Sequence, residues 1–409
     1  MKTLSINSKL INLVFFSILL ISNGCSSNSG DFYSNDRTGI IDGNKESPTT
    51  NYPTPKNTKP PQVLKSTPSV EPSPISTKDI EVLFSGVLVF SNSVKGEVNQ
   101  DLYKIEFECG HLNTSLCKTE IVQITDTKGV EWRGVISPDG LIIAYLYSHD
   151  PFSRSDIGLY NLQKESNEYE YFVQDIRDIA WNPKSNSLIY TKESSSGSKI
   201  IIWDITSNHS EQIQTNSIWN EKPIWSPDGE VIAYFASDIG DYIKKIRIFT
   251  INDGVEKEVL QHTIANSVNR ISWSNDSKKI VFTGIINGNH DIYILNIETN
   301  ELTKITESSA FDTSPQWSPI DNVIVFSSNR NGDYDLFIYD IELGETIQIN
   351  ENIGQDIFPQ WTKDGKYIFF INRSGDNSIL KVLDLGKRKE YYLTANSFNV
   401  FSFDAQISE

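Results

Sequence analysis

Seven acidic or amide side chains stand at nearly the same place in a pattern that recurs along the chain. They are Glu131, Asp175, Asn220, Asn269, Asp312, Asp356 and Asn399. If the repeats form a closed ring, these oxygens would surround the mouth of a central channel, where they could bind a cation such as calcium or the basic end of a peptide. The alternative is that each side chain caps its own turn by accepting hydrogen bonds from backbone N–H groups, and one residue can do both.

The histidines offer a second arrangement that could do chemistry. His149, His262 and His290 fall in or near loops of one rim, and His111 and His209 fall on the opposite rim. The three do not occupy equivalent places in their repeats, so we expect solvated loop histidines and not ligands that converge on one metal ion.

Motifs for catalysis are missing from the rest of the sequence. After residue 125 there is no Gly-x-Ser-x-Gly elbow, no HExxH and no paired CxxC motif. We therefore predict no catalytic residue and, apart from a cation at the channel mouth, no cofactor.

Two further features are candidates for recognition and for cross-linking. The loop from Tyr147 to Gly158 carries Phe152 and Arg154 and is either a recognition loop or a variable loop of no consequence. Cys109 and Cys117 are the only cysteines after Cys25. In an exported chain this pair is expected to form a disulfide, with free thiols as the alternative.

The repeated elements that would position these residues are short strands. A marker Trp or Ile, 44 to 48 residues apart, ends one strand of each copy: Ile136, Trp181, Trp225, Trp273, Trp317 and Trp361. Nine residues later an aromatic residue lies on the next strand: Tyr145, Tyr190, Tyr234, Phe282, Phe326 and Phe370. Self-similarity at this period, built from strands, is typical of a β-propeller.

A seventh copy is split between the two ends of the repeat array. The segment 87–125 has the later strands of a copy, with Phe90 in the aromatic place, but no strand precedes them. That strand is found at 399–404, which aligns with 356–361. The sequence therefore predicts an all-β fold over residues 81–409: a seven-bladed β-propeller of four-stranded blades, the first blade closed by the carboxyl-terminal strand.

The amino terminus predicts export. Lys2 and Lys9 precede an apolar run at 10–21, which is short for a membrane span but typical of a secretory signal. The run leads to Cys25 and resembles a bacterial lipoprotein signal, although Leu20 and Asn23 depart from the usual pattern. We expect a signal peptide at 1–24 and a lipidated Cys25 that anchors the protein on the extracytoplasmic side of a membrane, in the periplasm or at the cell surface; ordinary cleavage or an uncleaved anchor is the alternative.

The segment between the predicted lipid anchor and the propeller is polar. Residues 25–80 are rich in Ser, Thr and Pro and hold 8 of the 16 prolines. Such a composition cannot bury enough apolar surface to offset the entropy of ordering, so a disordered linker is expected.

Several segments together resemble the propeller of the TolB family. They are the WSPDG turn at 225–229, the strands IAY and VFS, the segment SSNRNGDYDLFIYDI and the strand LTKIT. The resemblance implies an adaptor role in the cell envelope, although the α/β domain that precedes the family's propeller has no counterpart here. Propellers of this type also occur in prolyl oligopeptidase-like enzymes, but the last repeat runs to the end of the sequence and leaves no room for a hydrolase domain.

Charge limits the kind of partner. The formal net charge of −17 argues against nucleic acid, or an anionic membrane surface, held by a basic patch. We predict a monomeric, non-enzymatic scaffold that binds a protein or peptide of the cell envelope and meets the membrane only through its lipid. The alternative is a carbohydrate-active or metal-dependent enzyme, similar to the oligogalacturonate lyase propellers, that uses rim residues.

Overall fold

The computed structural model describes residues 82–92, 100–110, 117–126, 129–148, 155–171, 175–238, 244–264, 270–286, 288–394 and 398–408. The chain divides into two units, Met1–Asp79 and Ile80–Glu409, and every described residue lies in the second. The predicted signal peptide, Cys25 and the predicted linker lie outside the described residues. Within the described ranges, no helix is long and apolar enough to cross a membrane.

Twenty-eight strands form seven four-stranded sheets in the part of the chain that the structure describes. Blade 1 contains β28 (Val400–Ser408), β1 (Val82–Asn92), β2 (Asp101–Gly110) and β3 (Lys118–Gln123), and blade 2 contains β4 (Val130–Ile136), β5 (Ile142–Ser148), β6 (Asp156–Asn161) and β7 (Ser166–Tyr171). Blade 3 contains β8 (Ile176–Trp181), β9 (Ser187–Ser194), β10 (Gly197–Asp204) and β11 (His209–Gln212), and blade 4 contains β12 (Trp219–Trp225), β13 (Val231–Ser237), β14 (Lys244–Thr250) and β15 (Val255–Ile264). Blade 5 contains β16 (Ile271–Trp273), β17 (Lys279–Ile286), β18 (Asn289–Asn296) and β19 (Leu302–Lys304). Blade 6 contains β20 (Asp312–Trp317), β21 (Val323–Ser328), β22 (Asp335–Asp340) and β23 (Glu345–Gln348), and blade 7 contains β24 (Gln355–Trp361), β25 (Tyr367–Ser374), β26 (Asn377–Asp384) and β27 (Lys389–Tyr392).

The first strand of each sheet lies on the inside of a ring. Neighbouring strands within every sheet are antiparallel and follow one another from the inside to the outside. First strands contact first strands of the next blade, as β28 contacts β4 and β20 contacts β24. The predicted all-β fold, a seven-bladed propeller of four-stranded blades, is confirmed.

The ring closes where β28 pairs with β1. Val89 lies opposite Asp404 and Phe90 opposite Phe403, so the carboxyl-terminal strand is the inner strand of blade 1, as predicted. The register differs by one residue from the sequence alignment. Val400 lies opposite Asn92, as Asp312 lies opposite Ser328 in blade 6, so Asn399 stands one residue ahead of the expected place.

The apolar core lies between blades. The aromatic residue nine positions after each marker is buried, and Phe282, Phe326 and Phe370 are 0 % exposed. One cluster joins Val281 of blade 5 to Trp317 and Phe326 of blade 6. Full burial of such a side chain contributes about 1.5 to 3 kcal/mol to the stability of the fold. Because these side chains are buried between blades, each blade is stabilised mainly by its neighbours.

A disulfide joins the end of β2 to the residue before β3. Cys109 and Cys117 are bonded, and both are buried. The predicted pairing is confirmed. It links β3, the outermost strand of blade 1, to β2.

Candidate functional site

A bulge that includes the third residue before the marker interrupts five of the described inner strands, β4, β8, β12, β20 and β24. The pairing with the second strand shifts register there, for example between Thr313 and Gln316 in β20 and between Ile357 and Gln360 in β24. Non-glycine residues at this place have positive φ: Arg133 (56°), Lys222 (50°), Ser314 (55°) and Phe358 (56°). A β-bulge re-aims side chains, so the residues around it are the first place to look for a site on the propeller axis.

Two of the side chains predicted to ring the channel mouth are buried and bonded near the rim where the inner strands begin. We call this the entry rim and the other the marker rim. Glu131 and Asp312 are 0 % exposed. Glu131 accepts a hydrogen bond from Thr125 Oγ1 at 3.2 Å. Asp312 accepts bonds from Arg330 Nη2 at 3.0 Å and Ser308 Oγ at 3.4 Å.

Asn220 is also buried, at 1 % exposed, and bonds to neighbouring backbone and side chains. Its amide donates to the Ser198 carbonyl at 2.8 Å, and its side-chain oxygen accepts from Ser217 Oγ at 2.7 Å. Asp175 is partly exposed and has a φ of 63°, and Asn269 lies outside the described residues.

Asp356 is a buried carboxylate whose hydrogen-bond donors are neutral amides. It is 0 % exposed and accepts bonds from the side-chain amides of Asn372 (2.6 Å), Asn350 (2.6 Å) and Asn352 (2.7 Å). Asn350 and Asn352 also donate to Glu390, which places a second carboxylate nearby. Burial raises the pKa of Asp356 to about 7 and outweighs the three amide bonds, which favour the ionised form.

The bonds described above hold turns and loops together through side-chain partners and, at Asn220, a backbone carbonyl, whereas the predicted turn caps would accept bonds from backbone N–H groups. A role in binding a cation or a peptide end stays a prediction, because a ligand would have to replace existing bonds. Among the residues described, no group of three or more His, Cys, Asp or Glu side chains is arranged to hold a metal ion.

The remaining predicted candidates are only partly described. His111, His149, Phe152 and Arg154 lie outside the described residues, and of His262 only its place on β15 is described. The His290 ring makes an edge-on contact with Phe311, with ring centroids 5.0 Å apart. Burial lowers the pKa of His290.

Charged side chains that the sequence reasoning missed lie three places before the marker, at the bulges of β4, β8 and β12 and, for Arg270, directly before β16. We call the residues three places before each marker, with Ser402 in the corresponding place on β28, the bulge ring: Arg133, Asp178, Lys222, Arg270, Ser314, Phe358 and Ser402. Arg133 Nη1 donates to Asp178 Oδ1 at 2.5 Å, and the Lys222 backbone N–H donates to Asp178 Oδ2 at 3.0 Å. Four consecutive repeats carry a charge at this one offset, which is the signal that could have revealed the ring.

The electrostatics of the bulge ring extend across the propeller axis. Burial lowers the pKa of Lys222 to about 8, against the attraction of Asp178. Burial also lowers the pKa of Arg270, and its charge interacts with Arg133 and Asp404, which belong to blades 2 and 1 on the other side of the ring. Arg270 is therefore within electrostatic range of charged side chains on blades 1 and 2.

The residues one place before the marker connect neighbouring blades. Asp404 Oδ2 accepts the Ile136 backbone N–H at 2.7 Å, Ser272 Oγ accepts that of Trp317 at 3.0 Å, and Gln316 Oε1 accepts that of Trp361 at 3.2 Å. In each case the acceptor lies on one inner strand and the donor is the marker of the next. Burial raises the pKa of Asp404.

Apolar side chains are exposed on the entry rim. Phe311 is 44 % exposed and directly precedes β20, and Ile353 is 86 % exposed and lies shortly before β24. Next to Phe311, Arg330 pairs with Asp312 and stacks on Phe337, 4.5 Å from the ring centroid. Two adjacent blades thus present a surface that combines apolar and cationic groups.

Comparison with known proteins identifies the type of propeller. Residues 241–402, less than half of the chain, match the family model described as the TolB beta propeller domain. This part of the ring is therefore similar to a TolB propeller domain.

Individual relatives match this chain over short stretches. The Tol-Pal system protein TolB of Francisella tularensis subsp. mediasiatica is 34% identical over 65 residues, which are 16% of this chain and 15% of that protein. Dipeptidyl-peptidase 5 of Porphyromonas gingivalis is 24% identical over 144 residues, which are 32% of this chain and 21% of that protein. The chain thus spans about a fifth or less of the length of these two curated relatives.

A solved enzyme shares the propeller fold of this chain. An oligogalacturonate lyase in complex with manganese superposes with a TM-score of 0.54 over 74% of this chain and 83% of the other, at 12% identity. At this identity the likeness concerns the fold alone. The fold therefore does not decide between binding and catalysis, and the choice depends on the residues of this chain.

Proposed function

We propose that this β-propeller is a protein- or peptide-binding scaffold of the cell envelope. In this proposal the protein is exported, and a lipid on Cys25 holds it at the extracytoplasmic side of a membrane. The observation that carries the proposal is the entry rim, where Phe311 and Ile353 are 44 % and 86 % exposed on adjacent blades. Exposed aromatic and aliphatic side chains beside an arginine are what protein interfaces use as anchors.

Three other observations support a scaffold. One relative, TolB of Francisella tularensis, is a Tol-Pal system protein. The net charge of −17 keeps the body soluble and favours a partner with neutral or cationic groups. The sequence also predicts Phe152 and Arg154, in the segment that follows β5, as recognition residues.

The enzyme alternative has less support among the described residues. It needs imidazoles and carboxylates around one pocket, yet the His290 ring packs on Phe311 and the carboxylates of Asp312 and Asp356 are buried and bonded. We therefore propose binding and not catalysis as the role of the entry rim.

The test is cross-linked capture from cell envelopes with the full-length protein and two double variants. Phe311→Asp/Ile353→Asp removes the apolar surface of the entry rim. Leu343→Asp/Val255→Asp is the matched control, because these side chains are 68 % and 53 % exposed and lie at turns of the marker rim. We expect the control to retain every specific partner and the entry-rim variant to lose at least nine-tenths of the capture, about 1.4 kcal/mol. Equal capture by both variants would show that the entry rim is not the interface, and fractionation of a Cys25→Ser variant tests the lipid anchor separately.

A further inference from the structure

The bulge ring collects positive charge in an acidic protein. Three of its seven members, Arg133, Lys222 and Arg270, are cationic and one, Asp178, is anionic, whereas the whole chain has a net charge of −17. We propose that the bulge ring forms an oxyanion site on the propeller axis, which takes a carboxylate or phosphate group between Arg133, Lys222 and Arg270.

The carboxylates of Asp178 and Asp404 already have hydrogen-bond partners. Asp178 accepts bonds from Arg133 Nη1 and the Lys222 backbone N–H, one on each oxygen. Asp404 accepts the Ile136 backbone N–H at 2.7 Å and the Gln360 side-chain amide at 2.5 Å. The hydrogen bonds that these two carboxylates accept therefore come from groups other than Arg270.

Arg270 is a cation of the bulge ring that neither carboxylate bonds. It forms no hydrogen bond and no ion pair with any residue in the described ranges. Its guanidinium carries five N–H donors in a planar fork that matches the oxygens of a carboxylate or phosphate. A donor of this strength inside the ring calls for an acceptor.

A second unpartnered group follows Arg270 around the ring. Ser314, the bulge-ring residue of the next blade, is 3 % exposed, and its hydroxyl has no hydrogen-bond partner in the described structure. Ser314 follows Arg270 around the bulge ring as Asp178 follows Arg133, and that earlier pair of consecutive members is hydrogen-bonded. An oxyanion there would accept hydrogen bonds from both, which removes the penalty of a buried unsatisfied donor.

Repulsion between like charges adds to the case. Arg133 and Arg270 lie on opposite sides of the ring, and the charge of Arg133 contributes to lowering the pKa of Arg270. An anion between them replaces repulsion by two attractions, which are strong where water is scarce. Gln360 Oε1 is also buried without a partner, so a ligand with an N–H or O–H beside its acid group would fit better than a bare anion.

The site is independent of the proposed interface on the entry rim. It lies at the inner strands, and none of its residues is among those changed in the capture experiment. Loss of one activity with retention of the other would therefore show which proposal fails.

The test is isothermal titration of the full-length protein at constant ionic strength. Three probes are compared: inorganic phosphate, a short peptide with a free carboxyl terminus, and the same peptide with an amidated terminus. We expect saturable binding of phosphate, of the free-acid peptide or of both, and no binding of the amide. Phosphate binding alone would assign a phosphate site, and binding of the free acid alone a carboxylate site.

Variants connect the titration to the bulge ring. Arg270→Gln should weaken binding at least tenfold. Arg177→Gln is the matched control, because Arg177 is exposed, lies next to Asp178 and pairs with Glu193, and it should bind within twofold of the wild type. Arg270→Lys, which retains the charge but not the fork, gives an intermediate result and replaces Arg270→Gln if that variant does not fold. Absence of saturable binding with all three probes, or unchanged binding by folded Arg270 variants, would overturn the proposal.

Discussion

Asp356 shows how much a single position of the repeat can vary in electrostatics. The equivalent residue of blade 6, Asp312, is neutralised by the Arg330 guanidinium at 3.0 Å. Asp356 instead receives three neutral amides and has Glu390 close by, so its negative charge is poorly compensated. Two carboxylates at the same place in the fold therefore have different partners.

We expect the stability of the propeller to fall with rising pH because of Asp356. Its pKa in the folded state, about 7, lies above the ordinary value of 3.8. Between these values the folded protein holds a proton that the unfolded chain has released, so stability is lost as pH rises through the folded pKa. From pH 5 to pH 8 the loss is about 3 kcal/mol.

Denaturant unfolding of Asp356→Asn and wild type across this range measures the effect. The variant should lose this part of the pH slope, whatever its absolute stability, because an amide does not titrate. Asp376→Asn, in an exposed turn of the same blade, is the control and should keep the slope. An unchanged slope in Asp356→Asn would mean that Asp356 is ionised throughout.

At this scale the sequence showed which residues recur but not what they contact. Oxygen-bearing side chains at the starts of the inner strands were predictable, because repeats reveal equivalent positions. Their burial and the role of Arg270 were not, because a bulge shifts the pattern of inward and outward side chains by one residue. The sequence around Ser314 contains no residue type that demands a positive φ, and so no local signal for the bulge.

Single strands are fitted to one another by close contacts between rings and glycines. Tyr145 of β5 lies opposite Gly158 of β6, and its ring covers the glycine. A Cβ at position 158 would stand 2.2 Å from Tyr145 Cζ. The Tyr145 hydroxyl also donates to Asn167 Oδ1 at 3.0 Å on the next strand, so the ring is held from both ends.

Gly158→Ala should therefore destabilise blade 2. The methyl group would force the Tyr145 ring out of its place, at a cost of about 2 kcal/mol by the usual penalty for overpacking. Gly386→Ala is the control, because its nearest neighbour would be Asp384 Oδ1 at 3.5 Å, an ordinary contact. Chemical denaturation compares the two; similar midpoints would show that the ring moves aside freely.

The order of strands was predictable from the sequence, and their exact register was not. Markers such as Trp317 and aromatics such as Phe326 fix each strand pair because both are needed between blades. The inner strand of blade 1 lacks a marker Trp, since Ala405 stands in that place. Without the large side chain, an alignment of β28 could slip by one residue, as it did for Asn399.

At the scale of the whole molecule, the ring depends on β28. This strand supplies Val400 and Phe403, which are 0 % and 5 % exposed, to the cluster that joins blades 1 and 7. Without it, β1 would present an open edge toward the propeller axis and Asp404 would no longer accept the Ile136 N–H.

Deletion of residues 398–408 should therefore abolish the single cooperative unfolding transition or shift it strongly to lower denaturant. Deletion of residues 1–79 is the control and should leave the midpoint unchanged, because these residues form the other unit of the chain. Phe403→Ala is a milder version and should cost about 3 to 5 kcal/mol. A cooperative transition at the wild-type midpoint in the shorter chain would show that six blades and an open blade suffice.

The pairing of β1 with β28 also has a consequence for the time course of folding. Val89 finds Asp404 only after the intervening blades have brought the two ends together, so the last ladder to form joins the residues that are among the farthest apart in sequence. Until then the backbone groups on one edge of β1 have no strand to pair with, and a protease or another chain can reach them. A chain that lacks β28 would remain in that state, so the ring closes only when this strand is present.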